Sequence, residues 1–551
     1  MKHLYTEEGV NLPEIPWNVY PRPQLKRDSF FCLNGQWIIS ADNFQGKITV
    51  PFCPESLLSG VNQELQGEIT YVKEFSLPKD FIKDRVFLHF GAVDQIATVY
   101  LNEIELGVNI GGYNHFFFEI TDFIKENNIL IVKVKDDLSL HLPYGKQSKK
   151  RGGMWYTPVS GIWQTVWLES TPQKLIEDIT VVADDKNAKI TVKGIERGNV
   201  IFEDKTVPLE NGVAVYTPEI LEKWSPENPK LYYFAVEGEG DRVESYLAFR
   251  TLETKIIDNI PRLCLNGEPY FFNGVLDQGY FSDGIFTPAT EKGYEKDILL
   301  MKEAGFNTLR KHIKVEPEQF YYDCDRLGMV VFQDMVNNGD YSFLRDTALP
   351  TIGIQRLNDK NMHKDKKTRR YFIRAMKETV EQLKNHPSIC LWTIFNEGWG
   401  QFDSNTMYDE LKKLDSTRFI DSTSGWFRGK NTDVESLHIY FKKLKLIKSD
   451  KPIIISEFGG YALSLEGHVF NDEKEYGYKK FDDIESLDNA VCNLFENELL
   501  PLIKKGLCAS IYTQVSDVED ETNGLITYDR KIIKFSNKLR TICEKLYQEI
   551  K

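Results

Sequence analysis

Two all-β stretches, followed by a long alternation of short apolar runs and amphipathic helices, predict a chain of β plus α/β class in three parts. Residues 1–171 read as a β-sandwich, 172–252 as a smaller immunoglobulin-like β-sandwich, and 253–551 as a (β/α)8 or TIM barrel. At 551 residues the chain exceeds what one hydrophobic core serves, so a multidomain reading is required.

The first part is built of short strands such as 70–75, 86–90 and 129–134, in which apolar and polar residues alternate between Gly, Asn, Asp and Pro turns. After Thr171-Pro172 a second all-β stretch follows, with runs at 189–192 and 231–236. Its length suits one small immunoglobulin-like sandwich.

From Leu252 the rhythm changes. Strands are expected to begin near Tyr270, Phe306, Met329, Ile389, Arg418, Val434, Pro452 and Cys508. Helical periodicity marks 290–304, 367–383, 486–505 and 535–548 between and after them. Strands of a parallel barrel are covered on both faces and read as continuous apolar runs, and catalytic side chains emerge at their C-terminal ends.

Two such runs end in glutamate. Glu397 closes 389–397, the fourth strand, and Glu457 closes 452–457, the seventh, so both are expected at one barrel mouth. Paired carboxylates there point to glycosidic bond cleavage, because the leaving oxygen must receive a proton while the anomeric carbon receives an electron-rich oxygen. A separation of about 5 Å makes one carboxylate a covalent nucleophile and gives retention; a wider one admits water and gives inversion. Asn-Glu also occurs at 102–103, after a strand, and at 497–498, in a helical run. Only Asn396-Glu397 ends a buried strand and runs into Gly398-Trp399-Gly400, where Asn396 can hydrogen-bond a sugar hydroxyl.

Composition narrows the field. A formal charge of -14 argues against a nucleic-acid surface, which needs clustered Lys and Arg. The basic run 146–151 reads as a solvated loop. Aromatic residues at 13% suit an enzyme that stacks rings on its ligand. The opening residues show no basic-then-apolar leader and no run is long enough to cross a bilayer, so no membrane association is expected. Eight scattered cysteines lack metal or redox spacing; Cys264, Cys390 and Cys508 fall in apolar runs as buried thiols, and a reducing cytoplasm is expected. With no close histidine pair and no glycine-rich phosphate loop, no metal and no cofactor are expected.

The order of domains, with glutamates on strands four and seven, resembles glycoside hydrolase family 2. The entry text YPRPQLKRDSFFCLNGQW and residues 160–169, SGIWQTVWLE, resemble that family's N-terminal jelly-roll, a sugar-binding-like domain. Asn273-Gly274-Val275 resembles the start of its barrel, and Phe395-Asn396-Glu397 and Ile455-Ser456-Glu457-Phe458-Gly459 are the most specific matches. The resemblance implies a retaining β-glycosidase with Glu397 as general acid/base and Glu457 as nucleophile. Glu397 must then begin protonated, and Glu457 must be ionised and surrounded by donors.

Further binding candidates follow from strand ends. Arg310 closes strand two, where it can charge-stabilise the nucleophile, and His438 and Tyr440 close strand six. By the resemblance Tyr440 stands near the nucleophile. Asp277 and Gln278 leave strand one, and Asp334 leaves strand three, where sugar hydroxyls are expected; Trp399 and Trp426 are candidate stacking platforms. His312 is a weaker candidate. The sequence departs from relatives at Leu276-Asp277-Gln278, where many have Arg-His-Glu, and at Arg310-Lys311-His312. Where glucuronidases of the family show Asn-x-Lys beyond strand eight, the corresponding text here is Glu521-Thr522-Asn523-Gly524-Leu525, with no lysine at the third position, which counts against an acidic sugar. The Trp that the larger galactosidases carry near strand eight is replaced by Tyr512-Thr513-Gln514.

The expected function is therefore an exo-acting retaining β-glycosidase. A β-galactosidase comes first by family frequency and a β-glucuronidase second. A carbohydrate-binding protein without catalysis is the reading from another class. The partner is a small glycoside, with a homo-oligomer left open.

Overall fold

The computed structural model describes residues 4–351, 354 and 359–550. Its N-terminal domain packs a six-stranded sheet, which includes Gly35–Ala41, Ile69–Phe75, Ile96–Leu101 and Asn128–Lys135, against a four-stranded one with Arg85–Phe90 and Val166–Thr171. Asn128–Lys135 buries alternate residues, as period-two patterning requires. Between the sheets lie Trp37, Tyr71, Leu88, Val99, Val132 and Leu168.

Seven strands from Asp178 to Leu247 form the next unit. Its two halves meet through a single residue pair, Glu210 with Val213, so the hydrogen-bonded ribbon folds back on itself around Ile190, Val200, Phe234 and Val236. This is the sandwich grammar read from the sequence.

A three-stranded ribbon, Leu252–Ile257, Ile260–Leu265 and Glu268–Pro269, leads into the barrel and contributes Leu263 and Leu265 to the apolar plug that includes Phe272, Phe332 and Leu391. Eight parallel strands follow: Phe272–Asp277, Thr308–Lys311, Val330–Asp334, Ile389–Thr393, Phe419–Asp421, Glu435–Ile439, Ile453–Gly459 and Leu507–Thr513. Each expected strand is present. Strands five and six share no ladder; Asp433 N donates to Ile420 O at 2.9 Å, and the Ser424 and Ser436 hydroxyls stand 3.3 Å apart across the seam.

Helices Lys292–Glu303, Glu318–Leu327, Lys366–Leu383, Ser404–Leu414 and Asn537–Glu549 cover the barrel, with Ile484–Asn493 prolonged through a π-helical segment to Ile503. Asp365 and Asp483 cap two of them by accepting from the amides of Thr368 and Ser486, each at 2.7 Å. The helical stretches expected at 290–304, 367–383, 486–505 and 535–548 are all present. Among the described residues no helix follows strand five or strand six; after strand five, 422–434 carries Gly425 and Gly429 and lacks an apolar stripe. No helix of the described residues is long and apolar enough to cross a membrane, and all eight cysteines are free thiols.

Candidate active site

Inside the barrel, side chains alternate between the interior and the helix layer. On strand two, Arg310 pairs in register with Leu276, which faces the interior plug, and Lys311 pairs with Asp277. Arg310 therefore points inward and Lys311 outward. The Arg310 guanidinium, 1% exposed, donates from Nε and Nη2 to Asp334 at 3.0 Å each, from Nη2 to Asn396 Oδ1 at 2.8 Å, and from Nη1 to Glu457 Oε1 at 3.0 Å. Burial alone would lower its pKa, but Asp334 and Glu457 carry it above the ordinary value. The same balance leaves Asp334 below the usual carboxylate range, with Arg310 and His312 overcoming burial.

Glu457 reaches this position through an irregularity. Strict alternation after interior Ile454 and Ser456 would turn residue 457 outward, but the register slips against strands six and eight around 455–458. Such a bulge re-aims a side chain. The carboxylate now accepts from Arg310 and, through Oε2, from Tyr440 Oη at 2.5 Å. Burial pushes the Glu457 carboxyl up, yet His438 and Arg310 outweigh it, and its pKa lies below the usual range.

Glu397 follows strand four with φ of +51°, the left-handed region that few non-glycine residues occupy. Its amide donates to Ser424 O at 2.8 Å, which fixes the turn against the end of strand five. Oε1 lies 2.8 Å from His438 Nδ1, and that nitrogen is also 3.4 Å from Glu457 Oε2. A ring nitrogen facing two carboxylate oxygens carries a proton, so His438 donates. One oxygen of each glutamate and a ring nitrogen of His438 lie within 4.8 Å of one another. Three such groups are close enough to hold a cation. Because both Glu457 oxygens already accept from Arg310 and Tyr440 and Nδ1 carries hydrogen, proton transfer suits them better than metal ligation.

The structure thus gathers Glu397, Glu457, Asn396, Arg310, Asp334, His438 and Tyr440 at one point, with His312 held by Asp334 at 2.8 Å. Trp426 sets its ring 5.8 Å from that of His438, and Trp399 lies edge-on to His312 at 6.3 Å; both indole nitrogens are buried with no partner among the described residues. Gln278 bonds Gln514, just past strand eight, at 2.8 Å. Asp277 is corrected: it faces the helix layer and accepts from Lys311 Nζ at 2.7 Å, in a cluster with Glu316, because it occupies the outward parity of strand one. It is not placed to meet a sugar.

Several residues at the mouth were missed. Tyr478 stacks on Tyr440 with centroids 3.9 Å apart; the only sequence signal is the pair of aromatics in Tyr476-Gly477-Tyr478, shortly after strand seven. The basic run 146–151 divides. Lys149 and Lys150 are exposed as expected of a solvated loop, but Lys146 is buried against Trp399.

The family model described as glycosyl hydrolases family 2, TIM barrel domain, matches residues 257–544, and that of the family's sugar binding domain matches 33–172. The chain belongs to glycosyl hydrolase family 2. It is 26% identical over 381 residues to a β-galactosidase of Thermoanaerobacter pseudethanolicus, covering 63% of this chain and 47% of that one, so this chain matches about half the length of that relative. To the β-glucuronidase of Homo sapiens it is 25% identical over 479 residues, covering 72% and 69%. Among solved structures, a β-D-glucuronidase of Dictyoglomus thermophilum superposes with a TM-score of 0.73 at 19% identity, over 96% of this chain and 98% of that one, which is a likeness of fold.

Proposed function

We propose that this protein is a retaining β-glycosidase that removes a terminal β-linked sugar by double displacement, with Glu457 as nucleophile and Glu397 as general acid and then general base. The observation that carries this is the asymmetry of the pair. Glu457 accepts from a guanidinium and a phenol and is held ionised, whereas Glu397 meets the single proton of His438. One oxygen of each carboxylate lies within 4.8 Å of the other's, a closeness in keeping with the spacing of about 5 to 5.5 Å at which covalent attack is favoured over inversion. Attack of Glu457 on the anomeric carbon, with proton transfer from Glu397 to the leaving oxygen, gives a glycosyl ester. Water deprotonated by Glu397 then releases the sugar.

A neutral sugar is the better reading of the glycone, with β-galactosides first, because the stretch 521–525 beyond strand eight has no lysine where family glucuronidases carry one. The second reading, a β-glucuronide, is favoured by relatives of that name. The intact carboxylate pair speaks against a binding-only protein. A reducing cytoplasm suits its free thiols.

A panel of nitrophenyl β-glycosides, galactoside, glucoside, fucoside, glucuronide and galacturonide, tests this reading. Turnover of at least one, abolished in Glu457→Gln while the melting curve persists, is expected; a fully active Glu457→Gln would overturn the assignment.

A further inference from the structure

The N-terminal domain carries a loop at the barrel mouth, and that loop holds a lysine that double displacement does not use. Lys146 is 6% exposed. Lysines are rarely buried without a paired charge, because desolvating an unpaired ammonium costs several kcal/mol by general estimates. Yet Lys146 Nζ lies 4.9 Å from the ring centre of Trp399 and 5.8 Å from that of Tyr156, and among the described residues no carboxylate stands within ion-pairing distance of it. Trp399 is two residues beyond Glu397.

The loop is held firmly. Gly145 sits at φ of +66°, where a Cβ would meet Ile313 O at 2.9 Å, so the chain lies directly on the barrel. Gln147 donates to Asp94 Oδ2 at 2.8 Å and accepts from Val159 N at 2.7 Å, and Lys146 O accepts from Tyr156 N at 3.0 Å. The ammonium is thus carried on a fixed backbone, with no hydrogen-bond acceptor for it among the described residues.

Glu521, beyond strand eight, stands on the same wall. It is 4% exposed, accepts from Tyr156 Oη and from Asn523 Nδ2 at 3.4 Å, and shares a β-bridge with Tyr476, two residues before the Tyr478 that stacks on Tyr440. Burial raises its pKa and the Lys146 charge opposes that rise, so the two groups act on each other without touching.

Histidines aside, the groups described at the mouth are two cations, Arg310 and Lys146, against four carboxyl groups, Glu397, Glu457, Asp334 and Glu521. A substrate carboxylate would add to an existing negative excess. A neutral diol suits both groups, since an ammonium donates to hydroxyl oxygen and a carboxylate accepts from hydroxyl hydrogen. We propose that Lys146 and Glu521, one from each domain, form a donor–acceptor pair that reads the hydroxyls of a neutral glycone bound beside Glu397 and Glu457. This rests on the glycosidase reading above and adds the residues that choose the sugar.

The test compares kcat/KM for the best aryl β-glycoside and its singly deoxygenated analogues in the wild type, Lys146→Met and Glu521→Gln. In the wild type, loss of one particular hydroxyl should cost about 10- to 100-fold, whereas the same loss should cost Lys146→Met under about 3-fold. Glu521→Gln should blunt the effect of that hydroxyl or its neighbour. The ratio between two substrates does not depend on how much of a variant is folded. Equal discrimination in wild type and both variants overturns the pair while leaving the glycosidase reading intact. A wild type that prefers a uronide, with the preference lost in Lys146→Met, overturns it in favour of a carboxylate ligand. A wild type inactive on every β-glycoside overturns the underlying reading.

Discussion

His438 Nδ1 lies 2.8 Å from Glu397 Oε1, and the same nitrogen is 3.4 Å from Glu457 Oε2, so one ring nitrogen faces both carboxylates. This contact orients the acid/base and adds positive character beside the nucleophile. His438→Asn should lower kcat/KM by about 100-fold for good and poor leaving groups alike, since attack by Glu457, which the same contact supports, is needed whatever the leaving group. Steady-state kinetics on two aryl glycosides of different leaving-group acidity checks this, and a loss confined to the poorer leaving group would contradict it.

Glu397→Ala should behave differently. Proton donation matters most when the departing oxygen is basic, so poor leaving groups should lose about 10²- to 10⁴-fold while activated aryl glycosides lose far less in the first step. Azide fits the space vacated by the carboxylate and should restore turnover as a β-glycosyl azide. A uniform loss without azide rescue would assign Glu397 a binding role.

The donors on Glu457 set the acid limb of activity. The nucleophile must be ionised, and its pKa is depressed, so activity should persist below the ordinary carboxylate range before falling as Glu457 takes up a proton. Tyr440→Phe removes the donor to Oε2 and should move that limb to higher pH. A kcat/KM profile that keeps its acid limb in Tyr440→Phe would show that the phenol does not tune the nucleophile.

Asp421, at the end of strand five, makes a stability prediction. Burial pushes its carboxyl up to about 6 from 3.8, against the smaller opposing pull of a Ser436 hydrogen bond and the Arg310 charge. Between those values the unfolded chain has released the proton and the folded one has kept it, so stability falls as pH rises through that window, by roughly 3 kcal/mol at most. Asp421→Asn should melt higher at pH 7 and as the wild type does near pH 4. Equal melting shifts at both values would contradict this.

Much of this was legible in the sequence because buried parallel strands cannot hide: all eight apolar runs became strands, and both glutamates emerged at the expected mouth. Asp277 misled because being near a strand end says nothing about which face a residue takes, and one step of parity places it among the helices with Lys311. Glu457 lies on the nominally outward parity and is brought inward by a register slip that the sequence does not reveal. Lys146 was lost among neighbouring solvated lysines, since its burial depends on a contact with Trp399, distant in sequence and in another domain.

The central claim is that Glu457 attacks the anomeric carbon while Glu397 serves the leaving group from the other face. Proton NMR of the first product, taken before mutarotation, tests it most directly. Two successive inversions predict an initial β-anomer, and the glycosyl ester should be trapped on Glu457 by an activated fluorosugar. An initial α-anomer would contradict the account.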